Sequence, residues 1–223
     1  MSGPGLSRVG ASAGILSVVV TFVGFGVHGG LPPATTADAV RAYVDGVGAS
    51  QTGIGNYIEL LGYVLFLVFA SFLYAVARAA KPDRPNWLAM FGFAGAIAYV
   101  AVSAVGIAGQ QTMVEWAKSG ADAKTVLGIY ILDGEAFTLS FELAAVFLAG
   151  VGVSLLNISR SLRLIGMAAI VTGAIVFLAG LVGSSSIESD ISQVGFMLFL
   201  LWTLAAGIYL VIRPPLPGPA EPA

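Results

Sequence analysis

The sequence contains no cysteine and a single histidine, His28, and only 10% of its 223 residues are charged. The missing thiols exclude disulfides, thiolate metal sites, iron–sulfur clusters and cysteine nucleophiles together. One histidine excludes a haem held by two, and with scattered acids around it there is no metal-ligand spacing, so neither a metal nor a cofactor is expected. Net charge is −2, which gives no basic footprint for nucleic acid. Phosphate-binding glycine loops, an HExxH helix and a GxSxG elbow are also missing. Ser184, Ser185 and Ser186 have no histidine or lysine close by to activate them and read as a turn. The chain carries no enzyme signature.

What is abundant is apolar. Hydrophobic residues make up 57% of the sequence and mean hydropathy is +0.92, whereas a soluble domain carries roughly 25% charged residues to keep its surface wet. Six apolar stretches, at about 10–28, 57–77, 87–108, 136–156, 164–183 and 194–212, each approach the roughly 20 residues needed to cross a bilayer. The fold expected is therefore all-α, a polytopic six-transmembrane-helix bundle over residues 1–213. Residues 214–223, with Pro214, Pro215, Pro217 and Pro219, cannot continue a helix and are expected to form a disordered cytoplasmic tail. The first stretch lacks a small-residue cleavage pattern after its apolar run, so it reads as a retained signal-anchor.

Orientation follows from the basic residues. Arg8, Arg78, Lys81, Arg84, Arg160, Arg163 and Arg213 fall on one side of the spans, and only Arg41, Lys118 and Lys124 on the other. By the positive-inside rule this places both termini in the cytoplasm, in a plasma membrane. Acidic residues run the opposite way: Asp38, Asp45, Glu115, Asp122, Asp133, Glu135, Glu188 and Asp190 lie outside or at the outer interface, against Asp83 and Glu221 inside. This is either an exported face that avoids Lys and Arg or a funnel that gathers cations.

The outer connections 29–56 and 109–135 are long. Pro32 and Pro33 interrupt the first, after which residues 37–44 have apolar residues at helical spacing and read as a short amphipathic helix on the membrane surface. Met113, Val114, Trp116 and Ala117 suggest a second one, anchored by Trp116. Each is either a lid over a pocket or a packing element.

Two hairpins look duplicated. Ile58-Glu59-Leu60 and Phe141-Glu142-Leu143 open similar spans, Arg78 follows Glu59 by 19 residues, and Arg160 follows Glu142 by 18. Such pseudo-repeated hairpins would be related by an axis along the membrane normal. Gly166, Gly173 and Gly180 recur every seven residues, and Gly92, Ala96, Tyr99, Ser103 and Gly106 form a comparable stripe, both suited to close helix approach.

A carboxylate inside hydrocarbon costs about 3 kcal/mol even on insertion scales, so each one needs a partner or a role. Glu142 is expected roughly 10 Å below its helix start, at 1.5 Å per residue, with Glu135 and Thr138 on the same helix face. Glu59 and Tyr63 share a face of the second span. If Glu59 and Glu142 met, repulsion would leave a shared proton or an opening for a cation. Alternatively Glu59 only caps its helix N-terminus. The candidate ligand-binding residues are thus His28, Glu59, Tyr63, Glu135, Thr138 and Glu142.

The signal-anchor, the proline-containing outer loop with a helix ending near Tyr43, the segment Tyr57-Ile58-Glu59-Leu60-Leu61-Gly62, and the Trp202-containing last span followed by Arg213 together resemble the small six-span bacterial membrane proteins, common in actinobacteria, that are grouped as a family of unknown function. The resemblance implies a fold and no activity. Two functions are left to weigh. One is a non-enzymatic module that binds a lipid-like or cationic ligand in an outward-facing acidic pocket among membrane lipids, as an accessory subunit of a membrane protein partner. The alternative is a small proton- or cation-coupled transporter using Glu142 and Glu59. No proline interrupts any span, which favours the first, since transporters commonly break helices near the midplane.

Overall fold

A computed structural model describes residues 4–29, 36–46, 49–80, 85–183 and 190–215. Pro32 and Pro33, the turn residues Lys81, Asp83 and Arg84, the 184–186 turn with Glu188, and the tail from Leu216 onward lie outside the described residues. Among the described residues there are seven helices: α1 Pro4–His28, α2 Ala37–Gly46, α3 Ala49–Ala79, α4 Trp87–Lys118, α5 Ala123–Leu155, α6 Arg160–Gly183 and α7 Asp190–Ile212. All but α2 are long and apolar enough to cross a membrane, making this an all-α multi-pass membrane protein.

The six long helices alternate in direction and close a ring in the order α1, α3, α4, α5, α6, α7, with α7 returning to α1. One end carries Arg8, Arg78, Arg160, Arg163 and Arg213 and is called the basic end; the other carries His28, α2 and the α4–α5 turn and is called the hairpin end. At the basic end the Asn86 side chain accepts from Ala89 N to start α4, donates to the Ala77 carbonyl of α3, and accepts from Ser154 Oγ of α5. Three helix ends are thereby tied by one amide.

Aromatic rings fill the middle of the ring of helices. Phe66 meets Tyr99, Phe147 and Phe199 edge to face at centroid distances of 5.4, 5.1 and 5.3 Å, and Trp202 packs on Phe69 and Phe147. Edge-to-face pairs match the positive ring edge to the negative face. Outside the core, Leu61, Val64, Phe91, Ile97, Val105, Val171, Leu178 and Leu201 face outward, as lipid contact requires. Lipid tails are as apolar as leucine, so helices associate by close van der Waals packing. Glycines supply it: a Cβ built on Gly150 would stand 2.6 Å from Gly92 Cα, and one on Gly166 would stand 2.6 Å from the Gly152 carbonyl oxygen. Gly166, Gly173 and Gly180 all face α5.

The expected outer loop at 109–135 is mostly helical instead. Helix α4 runs on to Lys118 and α5 begins at Ala123. Hydropathy alone ends the span where Gln110 and Gln111 appear, but a helix that keeps its backbone bonds has no reason to stop there. The reversal is made by Gly120, at φ +86°, and by Asp122, whose carboxylate accepts from Lys124 N and Thr125 N. The projecting hairpin is held by its own small core of Met113, Val114, Val126 and Tyr130, completed by Val40 and Val44 of α2, each 1% exposed. The apolar face of α2 therefore meets protein.

Candidate binding site: a buried polar seam

Helix α3 presents Thr52, Asn56, Glu59 and Tyr63 on its inward stripe at spacings of four, three and four residues, all buried. Farther along, the same stripe continues as Phe66, Ala70 and Leu73. The polar half of the stripe lies at the hairpin end and faces α1 and α4. Close approach of α1 makes the contact possible: Cβ atoms built on Gly24 and Gly55 would stand 2.8 Å from Glu59 N and from His28 Cβ respectively. Side chains at those two positions would push His28 out of reach of Glu59.

Glu59 is only 5% exposed, and both of its oxygens are engaged. The Tyr63 hydroxyl donates to Oε1 at 2.6 Å, and His28 Nε2 lies 3.1 Å from Oε2. The other ring nitrogen of His28, Nδ1, lies 2.6 Å from the Gly29 carbonyl oxygen. Around this pair, Gln110 of α4 donates through Nε2 to the Tyr43 hydroxyl at 3.3 Å, and Tyr43 of α2 reaches the His28 carbonyl at 3.5 Å. Burial raises the Tyr43 hydroxyl above the ordinary phenol range against the Gln110 hydrogen bond, and the charge of Asp133 adds to the rise. Tyr43 thus stays a neutral donor at the rim of the seam.

Asp133 of α5 brings a second carboxylate. Its Oδ1 would stand 3.1 Å from a Cβ built on Gly106 of α4, so the glycine leaves room for it, and it interacts electrostatically with both Glu59 and His28. Tyr99 packs edge to face on Tyr63 at 5.7 Å. Below them Ser17, Thr21, Gly62 and Thr203 line a small, mostly apolar niche with Tyr63 and Tyr99, with space for about one water molecule; the Ser17 and Thr203 hydroxyls bond carbonyls of their own helices. Phe66 and Phe199 close it. The Asn56 side-chain amide is 4% exposed and has no hydrogen-bond partner at either atom among the described residues.

Of the residues singled out by sequence, the structure joins His28, Glu59 and Tyr63. Glu135 is exposed on α5, and Thr138 is half-buried with its hydroxyl bonded to the Gly134 carbonyl. Glu142 is half-buried against α6, its Cγ 3.5 Å from a Cβ built on Gly180. It turns toward α6 while Glu59 turns toward α1, so the two glutamates do not share a site. Nor is Glu59 a helix cap: α3 begins at Ala49, almost three turns earlier. Gln110 and Asn56 also line the seam, with no motif to mark either in the sequence. Each continues an inward stripe already visible, Gln110 after Tyr99, Ser103 and Gly106, and Asn56 before Glu59 and Tyr63. No group of three or more His, Asp or Glu among the described residues is placed to hold a metal.

Comparison of the chain with protein families, curated proteins and solved structures finds no match. The functional reading rests on the seam itself.

Proposed function

We propose that the chain is a non-enzymatic membrane module that binds a cationic ligand in the seam between α1, α3, α4 and α5, acting as an accessory subunit. The observation that carries this reading is a charge imbalance. Two carboxylates, Glu59 and Asp133, face a single base, His28, in a largely buried setting. An uncompensated buried carboxylate is strongly unfavourable, and a neutral imidazole offsets neither of these two, so the seam favours uptake of positive charge. The basic end would lie in the cytoplasm of a bacterial plasma membrane, with α2 at the outer interface beside the mouth of the seam. Hairpins α3–α4 and α5–α6 run in the same sense through the bundle, which supports an internal duplication whose second copy has diverged at Glu142. The tight niche and the aromatic layer beneath it favour a small cation over a lipid-like one, and binding over transport.

The test is binding to the purified full chain in lipid nanodiscs, with protons, sodium and tetramethylammonium as probes. Glu59→Gln should lower uptake of whichever probe binds at least about tenfold, roughly 1.4 kcal/mol, and Glu142→Gln should leave it unchanged. Equal losses in both variants, or none in either, would overturn the reading.

A further inference from the structure

The chemistry of the His28 ring narrows the ligand, on the assumption that the cation-binding reading holds. Both ring nitrogens meet oxygen acceptors: Nδ1 the Gly29 carbonyl at 2.6 Å, and Nε2 the Glu59 carboxylate at 3.1 Å. A carbonyl has no hydrogen to give, so Nδ1 must carry one. A neutral imidazole then has a bare lone pair on Nε2, aimed at a carboxylate oxygen that has only lone pairs of its own. Two acceptors face to face in a buried seam repel, and the contact is favourable only when one hydrogen lies between them. The other Glu59 oxygen already accepts from Tyr63, and Gln110 Nε2, at 3.5 Å from Nδ1, is a donor whose closer partner is Tyr43. One unfilled requirement remains on the Nε2 to Oε2 line, and a single hydrogen fills it.

We propose that the cation bound in the seam is a proton shared between His28 Nε2 and Glu59 Oε2. Whether it sits on the ring or on the carboxyl, the pair is neutral overall. Releasing it leaves Glu59 ionised beside a neutral ring, with Asp133 of α5 adding a second negative charge nearby. The groups facing His28 from the other elements are Glu59 from α3, Gln110 from α4, Asp133 from α5 and Tyr43 from α2, none of them basic. Among the described residues no base in the seam therefore replaces the proton, and the His28 to Glu59 contact opens when it leaves. Because Tyr43 bonds the His28 carbonyl, α2 would register the change.

His28 is the only histidine in the chain, so nitrogen-15 histidine labelling of the full-length protein in nanodiscs gives one ring to observe. The expected spectrum has Nδ1 protonated at every pH and Nε2 changing in a single step. Glu59→Gln should move that step by about one pH unit or more, since a charged partner of the ring is gone. If Glu59→Gln does not fold, Tyr63→Phe keeps the packing and removes one donor to Glu59, and should also move the step. A tautomer mixture like that of free imidazole, with a step unchanged in either variant, would overturn the shared proton. Movement of the Nε2 resonance when sodium replaces tetramethylammonium at fixed pH would overturn it too, while leaving cation binding intact. Failure of Glu59→Gln to alter uptake of any probe would instead remove the cation-binding reading itself.

Discussion

Substitution of Gly150 by alanine should separate α4 from α5, and the structure sets the size of the effect. The added Cβ would lie 2.6 Å from both Gly92 Cα and Gly92 N and 2.7 Å from the Leu88 carbonyl oxygen. Carbon atoms pack at about 3.5–4.0 Å, so the helices must part by roughly 1 Å. All three obstructing atoms are backbone in a hydrogen-bonded helix and cannot rotate aside. A gap of that size forfeits a quarter to a half of each neighbouring van der Waals well, and overpacking of this kind costs about 1–3 kcal/mol. Alanine recovers up to about 1 kcal/mol of helix propensity over glycine, leaving a net loss of up to about 2 kcal/mol. Gly180→Ala is the control: its Cβ would meet Phe141 Cβ at 3.4 Å, an ordinary contact, so stability should hold or rise slightly. Reversible unfolding in mixed micelles measures both. Equal midpoints for the two variants would refute the claim that backbone contact at Gly92 and Gly150 holds this crossing.

Two further outcomes follow from the two ends of the bundle. Because the chain has no cysteine, Ser119→Cys and Asn157→Cys each give a single thiol, and an impermeant reagent applied to intact cells should label the first and not the second; the reverse pattern would invert the orientation. At the α4–α5 turn, hydrogen bonds from the Thr125 hydroxyl and amide hold the Asp122 carboxyl below its ordinary value. Its folded pKa is depressed, so its contribution is complete above the unfolded carboxylate value of roughly 4 and fades as pH falls through the lower, folded one. Amide exchange at Lys124 and Thr125 should accelerate in that acid window, and Asp122→Ala should produce the fast exchange at every pH. Exchange that is flat across the window, with no change in the variant, would show that Asp122 does not cap α5.

How far the candidate site was legible depended on whether its residues shared one helix. Glu59 and Tyr63 stand one turn apart, so helical spacing alone puts them on one face, and composition says that a carboxylate there needs a partner. That the partner is His28 could not be read, because it lies 31 residues away and is brought in by close approach at Gly24 and Gly55. Pairing Glu59 with Glu142 rested on similar local sequence, and local sequence does not fix the rotation of a helix about its axis. Packing sets that rotation: Gly180 draws the Glu142 face toward α6. Polar residues end a hydropathy window short of Asp133 and so place it in an outer loop, whereas the helices continue past that point, held by Met113, Val114 and Tyr130.

The sequence by itself determined that the chain lies in a membrane, that six helices cross it, and which end is basic. Those properties follow from transfer of side chains between water and lipid, which adds residue by residue and needs no knowledge of neighbours. Tertiary structure alone decided that α1, α3, α4 and α5 enclose a polar seam, that α2 packs on the projecting hairpin, and that His28 meets Glu59. Inside lipid the choice of neighbour comes from fit between surfaces rather than from apolarity, and fit is a property of two helices together.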